Sequence, residues 1–237
     1  MLVPYIQPNR KLNFLQDQGW IQNTKRAMLT FMDPVSVLFY LVILLMSVIL
    51  HEVAHGYTAF SLGDSTAKQA GRLTINPIPH IDPIGSVAVP LLLVLSSSPF
   101  LFGWAKPVPV NPYNFRDKKY GSAKVSFAGP AANLAIALSF GFLLRFLGTP
   151  IAAILPGIIP LLVGIVYLNL VLAIFNLLPI PPLDGSHILF DFLPRSLDVV
   201  RRILIQYGLF ILLFFIFFLF QYLVTPIEWL FRLITGF

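Results

Sequence analysis

His51 and His55 stand four residues apart with Glu52 beside the first, in the string His51-Glu52-Val53-Ala54-His55. On an α-helix, residues i and i+4 share one face, so both imidazoles can reach a single metal ion while Glu52 projects beside it. This is the H-E-x-x-H arrangement of zinc hydrolases, whose glutamate takes a proton from water activated at the metal. The chain has four histidines and no cysteine, so disulfides and thiolate sites are excluded and a transition metal must rely on imidazole and carboxylate. Two histidines do not complete a tetrahedral site, because a catalytic zinc usually takes three protein ligands and keeps one position open. Asp184 is the best third candidate. It follows an apolar run, comes just after Pro181-Pro182 and is followed by Gly185, which permits a sharp turn. Non-helical backbone at membrane depth must be buried in protein or line a wet cavity.

The elements around these residues must be membrane helices. Of the 237 residues, 57% are hydrophobic and 11% charged, and the mean hydropathy is +0.82. An ordinary soluble domain carries about a quarter charged residues. A soluble globular domain, a disordered chain, a coiled coil and a nucleic-acid-binding module are therefore excluded. Apolar runs occupy 35–50, 84–102, 125–147, 158–178 and 203–224, near the 20 residues that span about 30 Å of hydrocarbon. Sixteen apolar residues precede His51, about 24 Å of helix, which places the site near one edge of the bilayer, where water can reach it. Ionisable groups there are costly in lipid and need partners. We divide the chain into a polar N-terminal segment (1–33, with an interfacial amphipathic stretch around 12–28), a core (34–225) and an interfacial tail (226–237).

Two separated strings resemble one family. His51-Glu52-Val53-Ala54-His55, together with Asn176-Leu177-Leu178-Pro179-Ile180-Pro181-Pro182-Leu183-Asp184-Gly185, is similar to the site-2 proteases, intramembrane zinc metalloproteases. The second string fits that family's N-x-x-P-x-x-x-L-D-G pattern throughout. Gly129-Pro130-Ala131-Ala132-Asn133 resembles its G-x-x-x-N element. The likeness covers residues 35–224 and contains no PDZ-like or CBS-like insertion, as in a minimal-core member. It implies one zinc ion held at His51, His55 and Asp184, Glu52 as the base, and a transmembrane protein or peptide as substrate in a lipid bilayer. It also implies a strand near the active site, for which 70–75 is the candidate.

A shared metal constrains topology. If all five apolar runs crossed, His51/His55 and Asp184 would face opposite sides. The weakest run, 84–102, is broken by Pro90 and Ser96-Ser97-Ser98-Pro99. We therefore expect an all-α polytopic fold with four full transmembrane helices, one re-entrant segment and short strand-like loop elements. Ten Lys and Arg then fall on the active-site side and six on the other, which places the catalytic face in the cytoplasm of a cell-membrane protein. Five full spans would split the charges twelve to four, so that alternative stays open.

Asn176 and Asn133 are amides on apolar helices, where they could bind the substrate backbone, stabilise an oxyanion or join helices. His80 reads as a solvated loop histidine, and His187 as a weak extra-ligand candidate. The expected reaction is hydrolysis of a peptide bond in or near a substrate's transmembrane segment. A metal-binding transporter and an inactive relative are the rivals. The absence of an internal repeat weighs against the first, and the presence of Glu52 against the second.

Overall fold

The structure is a computed structural model that describes residues 34–96 and 103–236. The interfacial stretch expected around 12–28 lies outside the described residues. Helix α1 (Pro34–Ser61) carries the H-E-x-x-H string inside its apolar length. Proline suits the first turn of a helix, where its missing N–H has no partner to lose. Gly63, at φ +105°, turns the chain away just after the helix ends. A short helix, α2 (Thr66–Gln69), follows. A π-helical turn at Pro83–Ala88 leads into α3 (Val89–Leu95). Then come the long α4 (Gly121–Ile154), α5 (Ile158–Asn176), the short α6 (Asp184–Phe192), α7 (Asp198–Phe214) and α8 (Gln221–Thr235).

Among the described residues, four helices are long and apolar enough to cross a membrane: Val37–Ser61, Gly121–Ile154, Ile158–Asn176 and Asp198–Leu219. The fifth apolar run behaves differently. Its helical part, Pro83–Leu95, is too short for a span. The chain also returns to its starting point: Trp104 N–H donates to Gly85 O at 3.0 Å, and Ser86 Oγ to Trp104 O at 2.8 Å. A segment whose two ends are hydrogen-bonded together delivers the chain to the side it left. The described residues 83–96 and 103–104 meet as the two arms of a hairpin, the arrangement expected of a re-entrant segment.

The core lies between α4, α5 and α8, where Ala137, Leu144, Val166, Leu170 and Ile227 are buried. Small residues let these helices approach closely, as is usual inside membranes. Gly141 lies under Ile234, and Gly164 under the Tyr40 ring; a Cβ at either glycine would overlap its neighbour, at 2.3 Å and 2.4 Å. The end of the chain, expected as an interfacial tail, forms α8 and buries Ile227, Ile234 and Thr235.

One expectation fails. The strand-like element at 70–75 does not form, and the described residues contain no strand. Gly71, at φ +67°, ends α2, and the Arg72 N–H turns back to Ala67 O at 2.9 Å. Residues 73–75 then bend without a paired neighbour. A strand exists through its hydrogen-bonded partner, which local residue preference cannot supply. The extended stretch is instead 103–111. There the N–H groups of Trp104, Lys106 and Val108 point inward, to Gly85 O, His80 O and a Glu52 carboxylate oxygen, the period of two of an extended chain.

Candidate metal centre

Helix α1 presents different faces to different neighbours. Tyr40, Ser47, His51 and His55 look toward α4 and α5. Leu41, Leu45 and Val48, in register with Glu52, line a crevice against the hairpin residues Gly85, Pro90 and Trp104. The two histidines are thus buried, at 6% and 8% exposure, while Glu52 is only half-buried on the more open flank.

Asp184 arrives from 133 residues away. Its Oδ2 lies 2.9 Å from His51 Nε2 and 3.3 Å from His55 Nε2. It opens α6, where an acidic residue in the first turn is favoured by the helix dipole. Gly185 has a different task from the sharp turn read in the sequence. It sits within α6, and a Cβ there would lie 2.2 Å from the Leu177 carbonyl oxygen, so glycine allows α6 to pack onto the end of α5. At the other end of α6, Asp191 Oδ2 accepts from the Ala123 N–H in the first turn of α4, at 2.6 Å. The short helix is therefore held at both ends.

Each histidine is oriented from behind. His55 Nδ1 donates to the Val125 carbonyl at 2.6 Å, and His51 Nδ1 to Asn133 Oδ1 at 2.5 Å. With Nδ1 carrying the hydrogen, both rings turn Nε2 toward Asp184, the usual orientation of metal-binding imidazoles. The backbone beside them is bare. A Cβ at Gly129 would lie 2.5 Å from Nε2 of both rings, so the glycine clears the space in which the three ligand atoms converge. Ligands 2.0–2.1 Å from one tetrahedral zinc are about 3.3 Å apart. The observed separations and the donor set of two imidazoles and one carboxylate fit zinc. Donor atoms of His51, Glu52 and His55 lie within 4.8 Å of one another. Glu52 accepts from the Val108 N–H at 2.7 Å, which fixes its carboxylate beside the cluster.

Other candidates separate. Asn133 is fully buried and its amide is already engaged: Oδ1 with His51, and Nδ2 with Asn169 Oδ1 at 2.9 Å and Ser47 O at 3.3 Å. That placement is at odds with a substrate contact, because no face of the amide is left for one. Asn176 is half-buried at the end of α5, and its Nδ2 donates to Leu172 O at 2.9 Å. His80, read as solvated, is fully buried, with Nε2 on Thr74 O at 2.9 Å. His187 is exposed and outside the cluster. The sequence reading missed Ser47, Asn169, Asp191 and the Val108 N–H. A polar residue on an apolar helix was a usable signal for Ser47 and Asn169. Nothing local marked Asp191 or the Val108 N–H.

The sequence profile of peptidase family M50 matches residues 144–216. "Putative zinc metalloprotease YwhC" of Bacillus subtilis is 42% identical over 185 residues, which is 76% of this chain and 81% of that protein. "Putative zinc metalloprotease Rip2" of Mycobacterium tuberculosis is 36% identical over 141 residues, 60% of this chain and 52% of that protein. No solved structure matches the chain significantly. Homology at this level over most of the length of both proteins, carried by a chain whose imidazoles and aspartate converge between membrane helices, places it in peptidase family M50, the site-2 type of membrane metalloprotease.

Proposed function

We propose that this protein hydrolyses peptide bonds in or beside the transmembrane segments of other membrane proteins, as regulated intramembrane proteolysis, with one zinc ion held by His51, His55 and Asp184. The observation that carries the reading is the convergence of His51 Nε2, at 2.9 Å, and His55 Nε2, at 3.3 Å, on Asp184 Oδ2, with Glu52 alongside. When bound, zinc supplies Lewis-acid polarisation for water and for the scissile carbonyl. Glu52 accepts the proton of the attacking water and returns it to the leaving amine, as a base held on the open flank of the helix can do. Asn176 contacts the substrate backbone with the amide groups that its bond to Leu172 leaves over.

A peptide bond within a helix is hidden by its own hydrogen bonds, so the substrate must unwind near Glu52. The Lys and Arg residues on the metal-bearing side outnumber those on the other, which supports a cytoplasmic active site in the plasma membrane. The test is Glu52→Gln in liposomes with a transmembrane substrate. We expect cleavage to be lost with zinc retained; cleavage at the original rate would overturn the general-base role.

A further inference from the structure

We propose that Asn169 and Ser47 are positioning residues for His51, acting through Asn133 to hold the imidazole with its hydrogen on Nδ1 and its Nε2 lone pair toward Asp184. The proposal rests on the reading of His51 as a metal ligand. Asn133 and Asn169 are 0% exposed and Ser47 is 4% exposed, so their polar groups are sealed from bulk solvent.

The polarity of this relay is set by groups that cannot reverse. Asn169 Nδ2 faces the Ile165 carbonyl at 2.9 Å and Ser47 Oγ at 3.0 Å. A main-chain carbonyl accepts and never donates. The NH2 end of Asn169 must therefore be the one facing Ile165, which leaves Oδ1 facing Asn133. At that contact Asn133 must donate, and it does so through Nδ2 at 2.9 Å. The same Nδ2 faces a second fixed acceptor, the Ser47 carbonyl, at 3.3 Å. Asn133 Oδ1 is then the atom left for His51, and at 2.5 Å it is a bond only if Nδ1 carries the hydrogen. Reversing either amide would set donor against donor and acceptor against carbonyl inside the membrane, where unpaired groups are expensive.

Two carbonyls on separate helices thus decide which nitrogen of His51 is free. The relay joins α1, α4 and α5 at one level. A role as mere interhelical glue is the competing account, and it makes a different prediction. Glue lowers stability by a similar amount whatever stands at Asn133. A positioning residue loses its effect on the metal once Asn133 is gone.

The experiment measures zinc affinity of the purified full-length chain in lipid nanodiscs by competition with a chromophoric chelator. Asn169→Leu is expected to bind zinc about tenfold more weakly, the lower end of the cost of removing an outer partner of a metal ligand. Ser47→Ala, a milder change that preserves packing, is expected to give a smaller loss in the same direction. In an Asn133→Ala background, Asn169→Leu should add no further loss. Equal losses in both backgrounds, or wild-type zinc affinity in Asn169→Leu and Ser47→Ala, would overturn the proposal. His51→Ala is the separate control: if it keeps wild-type zinc affinity, the ligand assignment fails, whereas its loss beside unaltered Asn169 and Ser47 variants sinks only the relay.

Discussion

Gly129 stands against the imidazole of His51 so closely that a Cβ would lie 2.5 Å from Nε2, and the same atom would meet His55 Nε2 at 2.5 Å. The glycine is needed for what its side chain would occupy. Gly129→Ala is expected to push the rings off their shared point and weaken zinc binding by about 100-fold, the upper end of the cost of disturbing a ligand's surroundings. Chelator competition measures it. Wild-type affinity in this variant would mean that the rings move aside freely.

The bond from the Ala123 N–H to Asp191 ties the helix of Asp184 to the start of α4. Asp191→Leu leaves that N–H unpaired at a helix N-terminus and removes a favourable charge there, costing about 2 kcal/mol. The expected result is a drop of several degrees in the thermal midpoint, with weaker zinc binding because Asp184 loses its tether. Asp191→Asn, which keeps an acceptor, should fall between. An unchanged midpoint in Asp191→Leu would show that α6 is held by Asp184 and packing alone.

Asp64, fully buried after α1, accepts from the Thr66 and Asn111 N–H groups and from the Thr66 and Asn114 side chains. Burial pushes its carboxyl up, and these donors together outweigh it, so the net shift is downward. A carboxylate with a lowered folded value contributes stability that is present above its unfolded value, about 3.9, and is lost as pH falls through the folded value. The loop reaching Val108 should therefore open on acidification below about pH 4, with the protection of the Asn111 amide against exchange, relative to a free peptide at the same pH, lost first. Asp64→Asn should show that lower protection already at pH 7. Protection independent of pH in the wild type would rule out this clamp.

The hairpin closed by Trp104 and Gly85 can be tested without a background, since the chain has no cysteine. Single cysteines at exposed Lys118, before α4, and at exposed Leu155, after it, should label from opposite faces of sealed vesicles. A cysteine at exposed Ile81, before the hairpin, should label from the same face as Lys118→Cys. Labelling of Ile81→Cys and Lys118→Cys from opposite faces would mean that 84–102 crosses.

The donor atoms were legible because their chemistry is local. His51, Glu52 and His55 share a turn, and Asp184 stands beside prolines and glycine at the end of an apolar run. The requirement that they share one ion is the reason to expect that 84–102 turns back. The strand at 70–75 was misread for the complementary reason: pairing comes from a neighbour, and the extended chain formed at 103–111, where Glu52, His80 and Gly85 supply acceptors.

Residue type and helical period thus determined that this is a helical membrane protein with an H-E-x-x-H site and a distant aspartate, because apolar length and i, i+4 spacing act within single elements. Which amide stands behind His51, why residue 129 has no side chain, and what holds Asp184 in place were decided only when α1, α4, α5 and α6 packed together. Hydrogen bonds and close contacts between helices depend on three-dimensional position, and separations of 36 to 133 residues along the chain leave no local trace of it.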